Sequence, residues 1–183
     1  MGNMKSLSIG LLGLLGCSSF LYLSGCGKNL DTVVSGGKTN HDVISPGEFL
    51  DGDIVLVTGE SIQLKELRDQ PVVLVFSLPT CISCVAESKE MVQSLEHPEK
   101  NPSKIHLITV LAGADQEEAL AWKESNQIPW NIAYEEDGKL FRRYCPDFKV
   151  PCSYIQLPDK GLILSHTGSL SPQALKKLTG PWE

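Results

Sequence analysis

The sequence has no surplus of positive charge. Its 16 lysines and arginines are outnumbered by 22 aspartates and glutamates, for a formal net charge of -6. A phosphate-backbone partner would require a basic face, so nucleic acid is not an expected partner. The chain also lacks any dinucleotide-binding or P-loop glycine pattern, so no bound nicotinamide, flavin or other cofactor is expected. The four histidines, His41, His97, His106 and His166, are scattered and never fall in H-E-x-x-H spacing. They read as surface or strand residues rather than a zinc-ligand set. There is no internal repeat and no low-complexity run. What is present is a 183-residue chain, 42% hydrophobic, which suits one compact domain plus a tail. A core of that size needs no disulfide staples, so each of the six cysteines, Cys17, Cys26, Cys81, Cys84, Cys145 and Cys152, needs its own explanation.

The first two belong to the start of the chain. Lys5 supplies a positive n-region, an apolar stretch runs from Leu7 to Leu23, and small residues follow, as at a secretory cleavage site. Residues 1–25 are therefore expected to be a signal peptide, which would carry Cys17 away. The ending Leu23-Ser24-Gly25-Cys26 resembles the bacterial lipobox, which implies that Cys26 is the first mature residue and is lipidated. An uncleaved membrane anchor is the competing reading, since the apolar length is near the lower limit for spanning. The start also fits the weaker myristoylation pattern. Export would place the remaining cysteines where disulfides persist.

Residues 26–52 are rich in Gly, Ser, Asn and Asp and read as a tether, with an ordered extension packed on the domain as the alternative. The domain is expected over residues 53–183. Ile54–Val57 and Ser61–Leu64 flank Gly59 and suggest a hairpin. Val72–Phe76 is an unbroken apolar, β-branched run, as in a central strand buried on both faces. Helical spacing follows from Ile82 to Leu95, closed by Pro98 and Pro102. Ile105–Leu111 predicts a second buried strand, Asp115–Asn126 a helix capped by Asp115, and Trp130–Ala133 a short strand. Asp137-Gly138 is a turn before a short helix to about Tyr144. Ser153–Leu157 and Leu162–His166 predict a hairpin around Pro158–Gly161. Ser171-Pro172 starts the last helix. This order is that of an α/β fold, a mixed central sheet with helices on both faces.

Cys81-Ile82-Ser83-Cys84 falls where a strand ends and a helix begins. A helix N-terminus offers free N–H groups and positive dipole character, which lower a thiol pKa. The spacing puts both sulfurs on one side of the first turn. Such a pair in a βαβ setting reads as a redox dithiol. Half a zinc site completed by Cys145 and Cys152, or an inert bridge, are the alternatives.

The stretch from Gln63 to Leu178 resembles thioredoxin-like extracytoplasmic proteins of the TlpA/ResA type. The likeness rests on Val72–Ser77, Cys81-Ile82-Ser83-Cys84 with Glu87, the helix around Ala119–Lys123, Val150-Pro151, Asp159–Gly161 and Leu175–Leu178, in the family's order. It implies a thioredoxin-like fold and a thiol-disulfide oxidoreductase, membrane-tethered in the cell envelope. Its partners would be exported cysteine-containing proteins and a membrane thiol-disulfide electron partner. The resemblance makes Cys81 the nucleophile, Cys84 the resolving thiol, Glu87 a residue that influences both, and Val150-Pro151 a cis peptide facing the disulfide and shaping the substrate groove. The chain departs from the family in having Ser77 and Thr80 where aromatics are usual, and Val75 where thioredoxins place a buried aspartate. Glu87 also has a plainer reading, as a first-turn acid satisfying the helix dipole.

Cys145 and Cys152 lie outside the family pattern. In an oxidising compartment they are expected to pair as a structural bridge around Pro146–Lys149. A second dithiol exchanging with Cys81–Cys84 is the sharper alternative. The Sco-type copper chaperones share the fold and add a downstream histidine, here His166. Their cysteines are spaced by three residues rather than two, which leaves copper binding as the runner-up function.

Overall fold

In the structure, a computed structural model of the chain, residues 44–94 and 105–179 are described. The expected signal peptide, Cys26 and the first part of the tether lie outside these residues, as do Pro98, Pro102, His41 and His97. Seven strands form one sheet in the order β2-β1-β5-β4-β3-β6-β7. They are β1 (Asp53–Leu56), β2 (Ser61–Gln63), β3 (Val72–Ser77), β4 (His106–Ala112), β5 (Asn131–Glu135), β6 (Cys152–Leu157) and β7 (Gly161–Thr167). Among the described residues four helices accompany them: α1 (Ile82–Ser94), α2 (Gln116–Ser125), α3 (Lys139–Tyr144) and α4 (Pro172–Thr179). β3, β4 and β5 run parallel, while β6 is antiparallel to β3 and β7 to β6.

β3 is central because its residues leave it no face for water. All six positions are buried. Val72, Leu74 and Phe76 enter one core cluster and Val73 and Val75 the other, as strand alternation requires. On the second side α1, α2 and α4 contribute Met91, Ala119, Trp122 and Leu175. On the first side α3 contributes Phe141 and Tyr144, beside Leu64 and Leu67 of a short 3-10 turn.

The predicted helix starts hold for local reasons. Asp115 accepts the Glu118 N–H at 2.8 Å, and Glu118 accepts the Asp115 N–H at 3.2 Å, a reciprocal cap. Ser171 Oγ accepts the Ala174 N–H at 3.2 Å. α3 is capped from a distance, since Glu135 at the end of β5 accepts the Leu140 and Phe141 N–H groups at 2.8 and 2.6 Å.

Several strand ends shift by one or two residues from the sequence expectation, and three differences have a visible local reason. Leu64 has left the hairpin strand and begins the 3-10 turn, its N–H donating to Gly52 O at 2.8 Å. Trp130 precedes β5, with its indole N–H on Thr109 Oγ1 at 3.0 Å. The third is the tether. Residues 44–52 belong to the domain: Ile44 and Leu50 are buried in the core, and the Leu50 N–H donates to the wholly buried Gln156 side chain at 2.8 Å. Gly47 and Glu48 exchange backbone hydrogen bonds with Leu162 at 3.0 and 2.7 Å. Gly161, at φ +63, makes this possible, because a Cβ there would collide with the Gly47 and Glu48 carbonyl oxygens.

Candidate active site

The end of β3 and the start of β6 form one edge of the site. The two strands are antiparallel neighbours with Phe76 opposite Cys152. The loop leaving β3 therefore emerges beside the loop that enters β6. The first ends at Cys81, with Cys84 in the first turn of α1, and the second carries Val150 and Pro151.

Cys81 and Cys84 are joined by a disulfide with Cα atoms 5.3 Å apart. Cys81 stands just before α1 and acts as its cap. Its carbonyl accepts the Val85 N–H at 3.1 Å, and its sulfur accepts the Cys84 N–H at 3.1 Å. Ser83 Oγ lies 3.3 Å from the same sulfur. These are the groups that would hold a thiolate at Cys81. The two sulfurs are not equivalent, since Cys81 is half-buried and Cys84 is only 2% exposed. Ile82 between them is 86% exposed.

One turn further, Glu87 is 3% exposed. Its Oε1 accepts the Leu170 N–H at 2.7 Å, from the loop between β7 and α4. Burial pushes its carboxyl from 4.5 to about 7, the Leu170 bond opposing and the nearby Glu90 charge assisting. Glu87 is thus no solvent-facing first-turn acid. Val75 belongs to the same side of the sheet as Leu170. Its cross-strand neighbour Ser153 has a wholly buried hydroxyl with no hydrogen-bond partner.

The Val150–Pro151 peptide is cis. Pro151 is buried and Val150 half-buried. The Pro151 carbonyl accepts the Gly168 N–H at 2.8 Å, which ties the loop to the end of β7. Cys145, at the end of α3, is joined to Cys152 by a second disulfide, with 3% and 4% exposure and Cα atoms 6.3 Å apart. The two cysteine pairs are separate bridges. His166 lies opposite Ser153 on β7. Among the described residues no three His, Cys, Asp or Glu side chains come together as a metal cage.

Sequence reasoning missed Leu170, Ser83 and the exposure of Ile82. Leu170 contributes through its backbone, which its identity does not signal. The burial of Glu87 had no clear signal either: Cys84, Glu87, Ser88 and Met91 are the buried positions of α1, at helical spacings of three and four but of mixed polarity.

The AhpC/TSA family profile matches residues 50–159, more than half of the chain. The chain therefore belongs to the AhpC/TSA family. Solved structures agree on the fold. A candidate protein disulfide isomerase from Bacteroides thetaiotaomicron superposes with a TM-score of 0.65 at 19% identity, over 75% of this chain and 87% of that one. A secreted Mycobacterium tuberculosis disulfide oxidoreductase homologous to E. coli DsbE gives 0.57 at 18%, over 71% and 92%. StoA from Bacillus subtilis gives 0.57 at 20%, over 73% and 99%. No sequence relative was found among curated proteins. The thioredoxin-like α/β fold expected from the sequence is the fold of this chain.

Proposed function

We propose that the protein is an extracytoplasmic thiol-disulfide oxidoreductase, tethered to the membrane by lipid on Cys26, that exchanges disulfides with exported proteins. The observation that carries this reading is the placement of the Cys81–Cys84 disulfide. Its outer cysteine is half-buried and caps a helix, its inner cysteine is buried, and the cis Val150–Pro151 loop leads into the neighbouring strand. The solved structures named above include a disulfide oxidoreductase with the same fold.

In the reducing direction the Cys81 thiolate attacks one sulfur of a substrate disulfide. The other substrate sulfur leaves as a thiolate and takes up a proton. Cys84, losing its proton, then attacks the Cys81 sulfur and releases the second substrate thiol. Two electrons pass to the substrate and the Cys81–Cys84 bond forms. The oxidising direction is the reverse, and a membrane thiol-disulfide partner restores the starting state. Val150 offers its backbone to an extended substrate segment. Glu87, one turn from Cys84 and titrating at about pH 7, takes and returns the proton of the inner thiol. Cys145–Cys152 is the structural bridge, since burial denies both sulfurs to an attacking thiolate. Copper binding is not favoured, because among the described residues no third ligand gathers at the cysteines.

The test is a redox titration of the full chain against glutathione and dithiothreitol, counting thiols by mass tagging. One pair, Cys81–Cys84, is expected to exchange between about -120 and -270 mV, the range of thiol-exchange catalysts. Resistance below about -300 mV, as in structural disulfides, would sink the reading. Cys81→Ser should abolish exchange, and Cys84→Ser should accumulate mixed disulfides with substrate. Cys26→Ser should release the protein from the membrane fraction, and its retention would remove the lipid anchor from this account.

A further inference from the structure

The loop closed by Cys145–Cys152 carries a residue that the fold itself does not ask for. Phe148 has φ +54, a left-handed backbone that is unfavourable for a bulky side chain and costs glycine little. Its ring is also 62% exposed. A buried ring could offset the backbone cost through packing, but this one has an edge contact with Phe141, centroids 5.9 Å apart, and otherwise faces outward. Its N–H is held by the Cys145 carbonyl at 2.9 Å, and the bridge closes the loop from Cys145 to Cys152. The backbone that carries the ring is thus held at both ends of the loop. Phe148 also rims a cavity of about 1010 Å³ shared with Leu140, Arg142, Arg143 and Pro146.

Phe148 stands two residues before Val150 in the loop that enters β6 beside the end of β3. At this end of the sheet, Ile82 inside the dithiol motif is a second exposed apolar side chain. We propose that Phe148 is a specificity-determining residue, which docks an apolar side chain flanking the exchanging cysteine of an extended polypeptide. The inference rests on the exchange reading above and deepens it. Folding alone would favour glycine at this position, and the contact with a chain lying along Val150 accounts for the aromatic ring.

The test uses the full chain, the Phe148→Gly and Phe148→Leu variants, and three disulfide probes. Two are matched peptides with phenylalanine or serine beside the cysteine, and the third is hydroxyethyl disulfide. Phe148→Gly is expected to raise KM for the phenylalanine peptide about tenfold with kcat unchanged. It should leave the serine peptide and the small disulfide alone and melt no earlier than the parent. Phe148→Leu should recover most of the lost affinity. Equal KM values of the parent protein for the two peptides would overturn the proposal. So would a Phe148→Gly variant that unfolds early, which marks a packing residue, or one that changes only self-association in sedimentation. Failure of the parent to turn over any of the three probes would instead remove the exchange reading itself.

Discussion

Glu87 occupies a position on α1 that a helix packed on a sheet ordinarily gives to an apolar side chain. Its burial makes it a pH-dependent element of stability. As pH rises from 4.5 toward about 7, the unfolded chain releases the proton while the folded protein keeps it. The stabilisation is whole below 4.5 and is lost as pH passes through about 7. The loss is of order 3 kcal/mol at 1.36 kcal/mol per pKa unit. Glu87→Gln should therefore flatten the fall in urea stability between pH 5 and pH 8. A parallel fall in both proteins would mean that Glu87 does not carry it. If Glu87 also moves the Cys84 proton, the same variant shifts the pH profile of exchange, which a merely structural role would leave in place. The identity and neighbourhood of Glu87 were legible in the sequence, but its environment was not. The apolar spacing from Ile82 to Leu95 suggested a stripe, yet Ile82 is 86% exposed and the buried stripe runs through Cys84, Glu87, Ser88 and Met91. A stripe that mixes cysteine, glutamate and serine has too little hydrophobic contrast for periodicity to find.

At the scale of elements, the segments with strong local signals were the legible ones. β3 was visible as five consecutive apolar residues, and α2 and α4 through the caps Asp115 and Ser171. Pairings between distant segments were not, because register depends on contacts that no local pattern encodes. The pairing of β1 with β5, and the capping of α3 by Glu135, are of this kind. The Cys145–Cys152 bridge is local, with a sequence separation of 7, and ties the end of α3 to the start of β6. Replacing both cysteines with alanine should lower stability by about 2.5 kcal/mol, the loop-closure value for so short a loop, as read from denaturant unfolding. A larger loss would mean that the bridge also supports the packing of Tyr144 and Tyr154, which share its core cluster. Unchanged stability would remove its structural role.

For the molecule as a whole, the N-terminal boundary is the main departure. Gly, Ser, Asn and Asp made residues 26–52 read as a tether, and composition is a poor guide to two buried side chains, Ile44 and Leu50, in a polar stretch. Leu50 is fully buried, Asp51 is held by Tyr144, which accepts its N–H at 3.0 Å and donates to its carbonyl at 2.9 Å, and Gln156 reaches both Leu50 and Leu67. Leu50→Ala should cost about 2–5 kcal/mol, checked by thermal and urea unfolding. A cost near zero would make the segment an ornament after all. Stability at this scale is also tied to the dithiol. The Cys81 sulfur that accepts the Cys84 N–H is at once the stopper of a helix and one end of a breakable bond. Reduced and oxidised proteins therefore stop that helix with different strength, and folding, reduction and unfolding close a thermodynamic cycle. Any gap in unfolding free energy between the two forms reappears as a displaced reduction potential, about 30 mV for each 1.4 kcal/mol. Two melting curves, one for each form, thus weigh the same quantity as an electrode.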